Sequence, residues 1–355
     1  MRKPTLAVQT IEKRIAHADH IVAGIPSERQ LAEELGFSRN TVRVAIQALL
    51  EKGVLVRQDN GRLTVAPTDG SKNRTLCFLA PSGPSADVDL WRESVDSLVS
   101  ESFPGYNVTL RFATHGHWGD PSIQEVLSSF DGAFFIAPAE KIPNWLVSKM
   151  KDSPCRVAIL DQDASAVGLP SVVLFPPDSE RKLFDHLYNL GHREIDCLNT
   201  QELGAVVEGR LAVWREYLAS NGLSGQLHSR EERKPVESAY ELVRDQLEAG
   251  KPLASALFCT TGPAAIGAMR ALYEGGVNVG EEISVCAVNS EGLGRFLRPS
   301  LTALESPPRS LFLRQACEWM LKGEEWRGPL LVQPEDIPLF EGESTGSAPV
   351  ESVLA

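Results

Sequence analysis

The chain of 355 residues lacks the sequence patterns of several common classes of protein. No apolar run approaches the length of a membrane span, and the opening MRKPTLAV is followed by charge rather than by an apolar core. The chain also has no G-x-S-x-G, G-x-x-x-x-G-K-[ST] or H-E-x-x-H motif. We therefore expect a cytoplasmic protein without a signal peptide or membrane contact, and not an enzyme.

Clustered metal ligands and paired cysteines are missing as well. His115 and His117 lie close together in ATHGHWGD, but no cysteine or third histidine is near them, which favours a surface loop over a metal site. The six cysteines follow no C-x-x-C spacing, and most fall in apolar runs: Cys77, Cys155, Cys197, Cys259, Cys286 and Cys317. This pattern predicts buried, reduced thiols, with no metal and no other cofactor.

Charge is distributed unevenly along the chain. In residues 1–70, ten Lys and Arg residues stand against eight Asp and Glu residues, which leaves 25 against 39 in the remainder. The first segment is therefore slightly basic, whereas the rest is strongly acidic. Double-stranded DNA would be attracted to the first segment and repelled by the rest.

Residues 25–67 predict two helices joined by a short turn. Ser27 and Gln30 have the spacing of a capping box, and Gly36 is placed to end the first helix. Ser38 is the next N-cap, and Gly53 ends a second helix with apolar residues at helical spacing. Upstream, a further amphipathic helix is predicted over about 5–22. This arrangement is typical of a helix-turn-helix.

A β-hairpin is predicted directly after the second helix. Asn60 and Gly61 separate two short apolar runs, and both residue types tolerate the positive φ that a tight hairpin turn needs. Arg57 and Arg62 flank this turn, where they could meet phosphate or the minor groove. The hairpin would form the wing of a winged helix-turn-helix.

The run P-S-E-R-x-L-A-E-x-L-G-x-S-R-x-T-V-R-x-A, together with the hairpin, closely resembles the winged helix-turn-helix of the GntR family of bacterial regulators. The resemblance implies a DNA-binding role for residues at the matching positions. With the flanking wing residues, the predicted DNA-binding set is Arg29, Ser38, Arg39, Asn40, Thr41, Arg43, Arg57, Asn60, Gly61 and Arg62. A helix-turn-helix used only for protein contacts is the alternative. We assign 1–66 to this domain and 67–74 to a linker.

From Thr75 onward, apolar β-branched runs alternate with helical patterns. Eight strand-like runs are predicted, at 75–81, 106–113, 132–138, 156–162, 170–175, 193–199, 256–261 and 283–288. Strict alternation of strand and helix predicts parallel sheets with helices on both faces. Because eight strand–helix units are too many for a single sheet of ordinary size, we expect two similar lobes. The fold class is therefore an α+β winged helix-turn-helix followed by a two-lobed α/β domain.

The segments HLYNLGHREI (186–195), RLAVWREYL (210–218), AIGAMRALYEGGVNVGEEISV (265–285) and RPSLTAL (298–304) resemble the effector domains of LacI/GalR regulators, which share the periplasmic-binding-protein fold. The resemblance implies an effector-binding and dimerisation domain over 75–342. It implies crossover segments near 163–168, 289–292 and 323–328, with lobe one at about 75–164 and 291–323 and lobe two at about 168–289 and 328–340. This combination of domains resembles AraR-type regulators. The polar, acidic end at 343–355 is predicted to be disordered.

Six residues are candidates for effector binding: Trp91, Asp163, Phe175, Arg210, Thr261 and Asn289. The resemblance implies a sugar-binding arginine at Arg210 and a stacking aromatic at Trp91. Asp163 and Asn289 follow strands, where short polar side chains can hold hydroxyl groups. Phe175 and Thr261 occupy positions where the family often has Asn or Asp, so we expect a less polar pocket. The alternatives are ordinary: a surface ion pair with Glu208 for Arg210, turn formation for Asp163 and Asn289, and helix packing for Trp91.

We therefore predict a homodimeric bacterial transcription regulator that binds a palindromic operator and is released from it by a small-molecule effector, a sugar or a sugar derivative. One alternative is a regulator whose second domain only dimerises or senses a ligand that is not a sugar. The other is an enzyme with a periplasmic-binding-like fold, which the missing catalytic motifs disfavour.

Overall fold

A computed structural model describes residues 3–16, 28–57, 63–65, 72–83, 85–100, 103, 105–137, 141–230, 234–251 and 253–349. The N-terminal domain, called the head below, contains helices α1 (Lys3–Ala16), α2 (Glu28–Leu35) and α3 (Arg39–Glu51). Strands β1 (Leu55–Arg57) and β2 (Leu63–Val65) pair antiparallel. The predicted helix-turn-helix and hairpin are therefore present. Residues 17–27 and the hairpin turn at 58–62, including the predicted cap Ser27, lie outside the described residues.

One small apolar core holds the head together. Ala7, Val8 and Ile11 of α1 are buried with Leu31 of α2 and with the apolar face of α3. Leu55 and Leu63 join this core from the two strands. Gly36 has φ 67° and Gly53 has φ 67°, so each glycine provides the left-handed residue that ends its helix.

The rest of the chain, called the body below, contains two six-stranded sheets. Lobe one consists of β3 (Lys72–Pro81), α4 (Ala86–Ser100), β4 (Tyr106–His115), α5 (Pro121–Ser129), β5 (Gly132–Ile136), α6 (Asn144–Asp152), β6 (Arg156–Leu160) and β7 (Ser171–Val172). The later α11 (Arg309–Lys322) and β13 (Leu331–Val332) complete it. Its strand order is β13-β7-β6-β5-β3-β4, and all pairs are parallel.

Lobe two consists of α7 (Arg181–Asn189), β8 (Ile195–Asn199), α8 (Ala205–Asn221), β9 (Leu227–Ser229), α9 (Pro235–Glu248), β10 (Ala256–Cys259), α10 (Gly262–Glu274), β11 (Ser284–Ala287), β12 (Thr302–Leu304) and β14 (Leu339–Phe340). Its strand order is β14-β12-β11-β10-β8-β9. All pairs are parallel except β12 with β14, which is antiparallel. Two largely parallel sheets in an α/β body confirm the predicted fold class.

The chain crosses between the lobes at places other than those implied by the resemblance. β7 pairs with β6 in lobe one, so the first crossing follows Val172 rather than lying near 163–168. β12 pairs with β11 in lobe two, which places the second crossing between Leu304 and Arg309. The third crossing connects β13 to β14. The short strands β7, β12 and β13 determine these positions, and a strand of two or three residues does not reveal from its own sequence which sheet it joins.

Two predictions about chain segments are wrong. Lys72–Arg74 belong to β3 rather than to the linker, because they pair in register with Tyr106–Val108 of β4. Residues 343–349 are ordered rather than disordered: Ser344 is fully buried, and the main chain of this segment bonds to lobe two. Short polar residues and glycine reach the hydrogen-bonding groups of lobe two there, so the segment needs no apolar side chains. Residues 350–355 lie outside the described part of the chain.

Candidate functional site

The first candidate site is the exposed face of α3 in the head. Ser38 caps the helix, with its Oγ accepting a hydrogen bond from the Thr41 backbone N–H at 3.2 Å. Arg39, Asn40 and Arg43 follow on the exposed face, and the Arg39 and Arg43 side chains are 65% and 60% exposed. A helix N-terminus with exposed cationic side chains suits both phosphate and base edges.

Glu28, the first residue of α2, holds two of these arginines together. Its Oε2 lies 3.2 Å from Arg43 Nε and 4.0 Å from Arg39 Nε. The carboxylate orients the guanidinium groups and also offsets part of their charge. Arg29 is exposed on the same helix as Glu28, and Arg57 is exposed at the end of β1. Asn60, Gly61 and Arg62 lie outside the described residues, so the wing tip stays a prediction.

The second candidate site is a cavity of about 310 Å³ between the two lobes. Lobe one contributes the start of α4 and of α11, and lobe two contributes the loop after β11 and residues of β12 and β14. The lining residues are Asp87, Leu90, Phe175, Asn289, Ser290, Glu291, Gly292, Arg295, Leu304, Glu305, Ser306, Arg309 and Phe340. Three of them, Phe175, Glu305 and Ser306, lie in segments where the chain crosses between the lobes. A molecule in this cavity would therefore contact those segments directly.

Two of the six predicted effector residues line this cavity. Phe175 presents an aromatic ring, and Asn289 has a buried Oδ1 without a hydrogen-bond partner in the described part of the chain. Buried acceptors of this kind are uncommon in folded proteins, and they mark places where a ligand or water can bind. The pocket is more polar than we expected from the sequence, because charged residues at other positions also line its wall.

The other four predicted effector residues do not line the cavity. Asp163 is exposed, and its Oδ1 accepts a bond from the Ser165 backbone N–H at 2.8 Å, which is the turn-forming alternative. Trp91 is 1% exposed within the core of lobe one, as in the helix-packing alternative. Thr261 caps α10 by accepting a bond from the Ala264 backbone N–H at 3.3 Å.

Arg210 matches neither of its two predicted roles. It is 5% exposed, so it does not form a surface ion pair with Glu208. Its Nε lies 3.3 Å from Oε1 of the fully buried Glu180, and its Nη1 donates to the Thr260 carbonyl at 2.7 Å. Burial raises the pKa of the Glu180 carboxyl to about 8, and the Arg210 charge opposes this shift. The guanidinium of Arg210 is therefore already engaged within the protein.

Several residues of the cavity were not predicted from the sequence. Arg309 donates from Nη2 to Asp87 Oδ1 at 2.8 Å, although the two residues are 222 positions apart, and its guanidinium lies 5.2 Å from the Trp91 ring centroid. Arg295 forms an ion pair with Glu305. No local sequence pattern links the members of these pairs. Glu291, in contrast, stands two residues after Asn289 and could have been found by extending the search along that loop.

Two carboxylates near this cavity adopt an unusual backbone conformation. Asp161 has φ 63° and Glu291 has φ 50°, and they are the only non-glycine residues with positive φ in the described ranges. Each follows a central strand of its lobe. Burial and then the Asp87 charge raise the pKa of Asp161 and of Glu291 to about 7 in each case, against the lowering effect of Arg309. Such backbone strain concentrates at functional sites.

The thiols and histidines fit structural roles. All six cysteines are buried and unpaired, as predicted, and burial raises the pKa of Cys77 and of Cys155 to about 12. His115 is not on a surface loop: it is 1% exposed and stacks on Phe135 at 5.1 Å. In the described part of the chain, no group of three or more His, Cys, Asp or Glu residues could hold a metal ion. Within the same ranges no helix has both the length and the apolar character needed to cross a membrane.

Comparison with known proteins agrees with this division into head and body. The model for bacterial regulatory proteins of the gntR family matches residues 9–65, and that for periplasmic binding protein-like domains matches residues 184–335. The HTH-type transcriptional regulator GalR of Streptococcus thermophilus is 26% identical over 163 residues, which cover 44% of this chain and 49% of that protein. The chain thus spans about half the length of this relative.

Solved structures share the fold of the body at low sequence identity. A dimeric Lac repressor with an 11-residue C-terminal deletion superposes with a TM-score of 0.65 and 20% identity, covering 77% of this chain and 100% of that one. A LacI family transcriptional regulator from Enterococcus faecium with bound ribose gives a TM-score of 0.65 and 16% identity, covering 77% and 99%.

The helix-turn-helix and the two lobes define a class of protein: a DNA-binding head joined to a two-lobed body with a periplasmic-binding-protein-like fold. More specifically, the head is a helix-turn-helix domain of the gntR family, and the body has the periplasmic-binding-protein-like fold found in LacI-type regulators.

Proposed function

We propose that this protein is a sequence-specific DNA-binding transcription regulator whose affinity for its operator is controlled by a small molecule bound between the lobes. The observation on which the proposal chiefly rests is the N-terminus of α3, where a capped helix presents exposed Arg39, Asn40 and Arg43. Direct base recognition in the major groove requires polar side chains at this end of a recognition helix.

The position of the cavity supports control by a ligand. Its wall contains residues from both lobes and from two of the three crossing segments, so a bound molecule would contact both lobes and two of the segments that join them. Closure changes DNA binding only if the ligand favours one arrangement of the lobes over the other. We propose that the closed, ligand-bound body lowers operator affinity, so that the protein is a repressor released by its effector.

The effector is proposed to be a sugar or a sugar derivative. The E. faecium regulator was solved with ribose, and the cavity here combines aromatic side chains with polar groups, as carbohydrate sites do. The wall offers Phe175 and Phe340 as apolar surfaces, and Asn289 and Ser290 as partners for hydroxyl groups.

The form of the operator and the oligomeric state are proposed from two-fold symmetry. The Lac repressor with the same fold is dimeric, and two copies of the present chain would place two heads on one duplex. A two-fold dimer binds a palindrome whose half-sites lie about one helical turn apart, roughly 34–36 Å. We therefore propose a homodimer acting on a palindromic operator in the cytoplasm.

The test is fluorescence anisotropy of the purified full chain on labelled duplexes tiled across its own upstream DNA. Each duplex is titrated with and without monosaccharides, disaccharides, amino sugars and sugar phosphates. Tight, salt-sensitive binding to one palindromic duplex, reversed by one compound, is the expected result. Binding that no compound alters would leave the head as proposed and make the body a dimerising domain. Absence of binding to every duplex would contradict the proposed function itself.

A further inference from the structure

The charges around the cavity do not balance. Each arginine on its wall already has a carboxylate partner: Arg309 pairs with Asp87, and Arg295 pairs with Glu305. The carboxylate of Glu291 remains on the wall, and it makes no ion pair or side-chain hydrogen bond with any residue that the structure describes. The cleft therefore holds more negative than positive charge.

Glu291 reaches the cleft from lobe two, in the loop after β11. Asp161, which directly follows β6 of lobe one, does not line the cavity. Both carboxylates lie within electrostatic reach of Asp87 and Arg309, and Asp161 also lies within reach of Arg210. A cation in the cavity would be attracted to Glu291, the carboxylate of the wall that has no partner.

A neutral group close to Glu291 in the sequence adds an acceptor of hydrogen bonds. Asn289 Oδ1 on the cavity wall is buried and accepts no bond from the described residues. The wall also presents one buried donor, Arg309 Nε, whose side chain is 9% exposed and already shares its charge with Asp87. A molecule that meets Glu291 and Asn289 Oδ1 must supply N–H or O–H donors.

An anion is poorly suited to this site. A phosphate or carboxylate would need an unpaired arginine or lysine, and both arginines of the wall, Arg295 and Arg309, are already paired with carboxylates. Sugar phosphates and uronic acids are therefore disfavoured.

We propose that the effector of this protein is a small hydroxylated molecule with a basic nitrogen, whose ammonium group binds Glu291 while its carbon skeleton packs against Phe175 and Phe340. The inference rests on the proposed function and narrows its ligand from sugars in general to cationic, amino-sugar-like compounds. Charge-assisted hydrogen bonds from an ammonium group to a partly buried carboxylate are among the stronger polar contacts in proteins.

The raised pKa of Glu291, about 7, adds a dependence on pH. The ammonium group favours the ionised carboxylate, so binding must release any proton that it holds. Affinity for the amine should therefore rise as the pH increases from 6 to about 8. The other charged groups that face Glu291 are Asp87 and Arg309.

The experiment measures thermal stabilisation of the full chain by a metabolite library that contains matched amino, neutral and anionic forms, such as glucosamine, glucose and glucose 6-phosphate. Calorimetry then gives the affinity of each hit for the wild type, Glu291→Gln and the control Glu281→Gln, an exposed carboxylate elsewhere in lobe two. We expect the hits to be amines, and we expect Glu291→Gln to weaken their binding by about tenfold or more. The control should bind them unchanged.

Two results would overturn the proposal. One is an anionic or neutral hit whose affinity is unaffected in Glu291→Gln; the protein would still be a ligand-controlled regulator. The other is a library without a hit from a protein that binds its operator normally, which would show that the cavity is not an amine site. Operator binding is measured separately on the same samples, so a failure of the proposed function is distinguished from a failure of this inference. Each variant should melt at the same temperature as the wild type when no ligand is present, which excludes misfolding.

Discussion

Arg39 is the first residue of α3, and its guanidinium is 65% exposed beside Glu28. If this end of the helix enters the major groove, Arg39→Ala should weaken specific operator binding by ~1–3 kcal/mol. The measurement is anisotropy on the operator and on a scrambled duplex. Lys52→Ala is the control, because Lys52 is exposed at the other end of α3 and pairs with Glu12. Unchanged operator affinity in Arg39→Ala would mean that another face of the head contacts the bases.

Arg210 and Glu180 form a buried pair, and replacing either residue alone should lower the stability of the protein. Glu180→Leu leaves the buried, always-charged Arg210 guanidinium without its partner, so the free energy of unfolding should fall by about 3–5 kcal/mol. The double change Arg210→Met with Glu180→Leu should cost much less, because it removes both charges together. Denaturant unfolding of the three proteins tests this. Equal losses in the single and the double variant would show that packing, and not charge, dominates at this site.

At the scale of whole elements, the C-terminal segment 343–349 acts as a strap on lobe two. Ser344 Oγ donates to the Val285 carbonyl at 2.6 Å and accepts from the Thr302 backbone N–H at 2.9 Å. The Gly346 N–H donates to Ser284 Oγ at 3.0 Å, and the Ala348 N–H donates to the Leu190 carbonyl at 2.8 Å. The strap thus connects β11 and β12 to the end of α7.

Truncation after Gly342 removes these bonds and leaves their buried partners unsatisfied. At about 1 kcal/mol for each bond, we expect the free energy of unfolding to fall by roughly 3 kcal/mol or more. Truncation after Pro349 keeps every one of these bonds and is the matched control. Thermal and denaturant unfolding of the two proteins gives the comparison. Equal stability of both truncated proteins would contradict a structural role for the strap.

Over the whole molecule, a slightly basic head is joined to a strongly acidic body. DNA contacts should therefore be confined to the head, and each phosphate contact should add about 0.9 to the slope of log affinity against log salt concentration. Arg57→Ala in the wing should reduce this slope by about 1 and weaken binding evenly across sequences. Arg298 lies in the body, and its side chain is 89% exposed. Arg298→Ala should change neither the salt slope nor the affinity for DNA. A reduced slope in the Arg298 variant would place DNA against the body as well.

The features that could be predicted from the sequence are those that depend on neighbouring residues. The Ser38 cap, the left-handed Gly36 and Gly53 and the pairing of β1 with β2 each need only a few adjacent positions. Alternating strands and helices likewise predicted parallel sheets in two lobes, because buried parallel strands have continuous apolar runs. The sequence by itself thus determined the head, the class of the body and the burial of all six cysteines.

Tertiary structure alone decided which side chains meet in the cleft. Asp87 and Arg309 are distant in sequence but in contact, and Arg210 is buried against Glu180 rather than facing the cavity. The crossings after β7 and β12 and the docked strap depend in the same way on pairing between remote segments. Burial and pairing over such distances arise only when the sheets are assembled, since no local pattern specifies the partner of an isolated charge or of a two-residue strand.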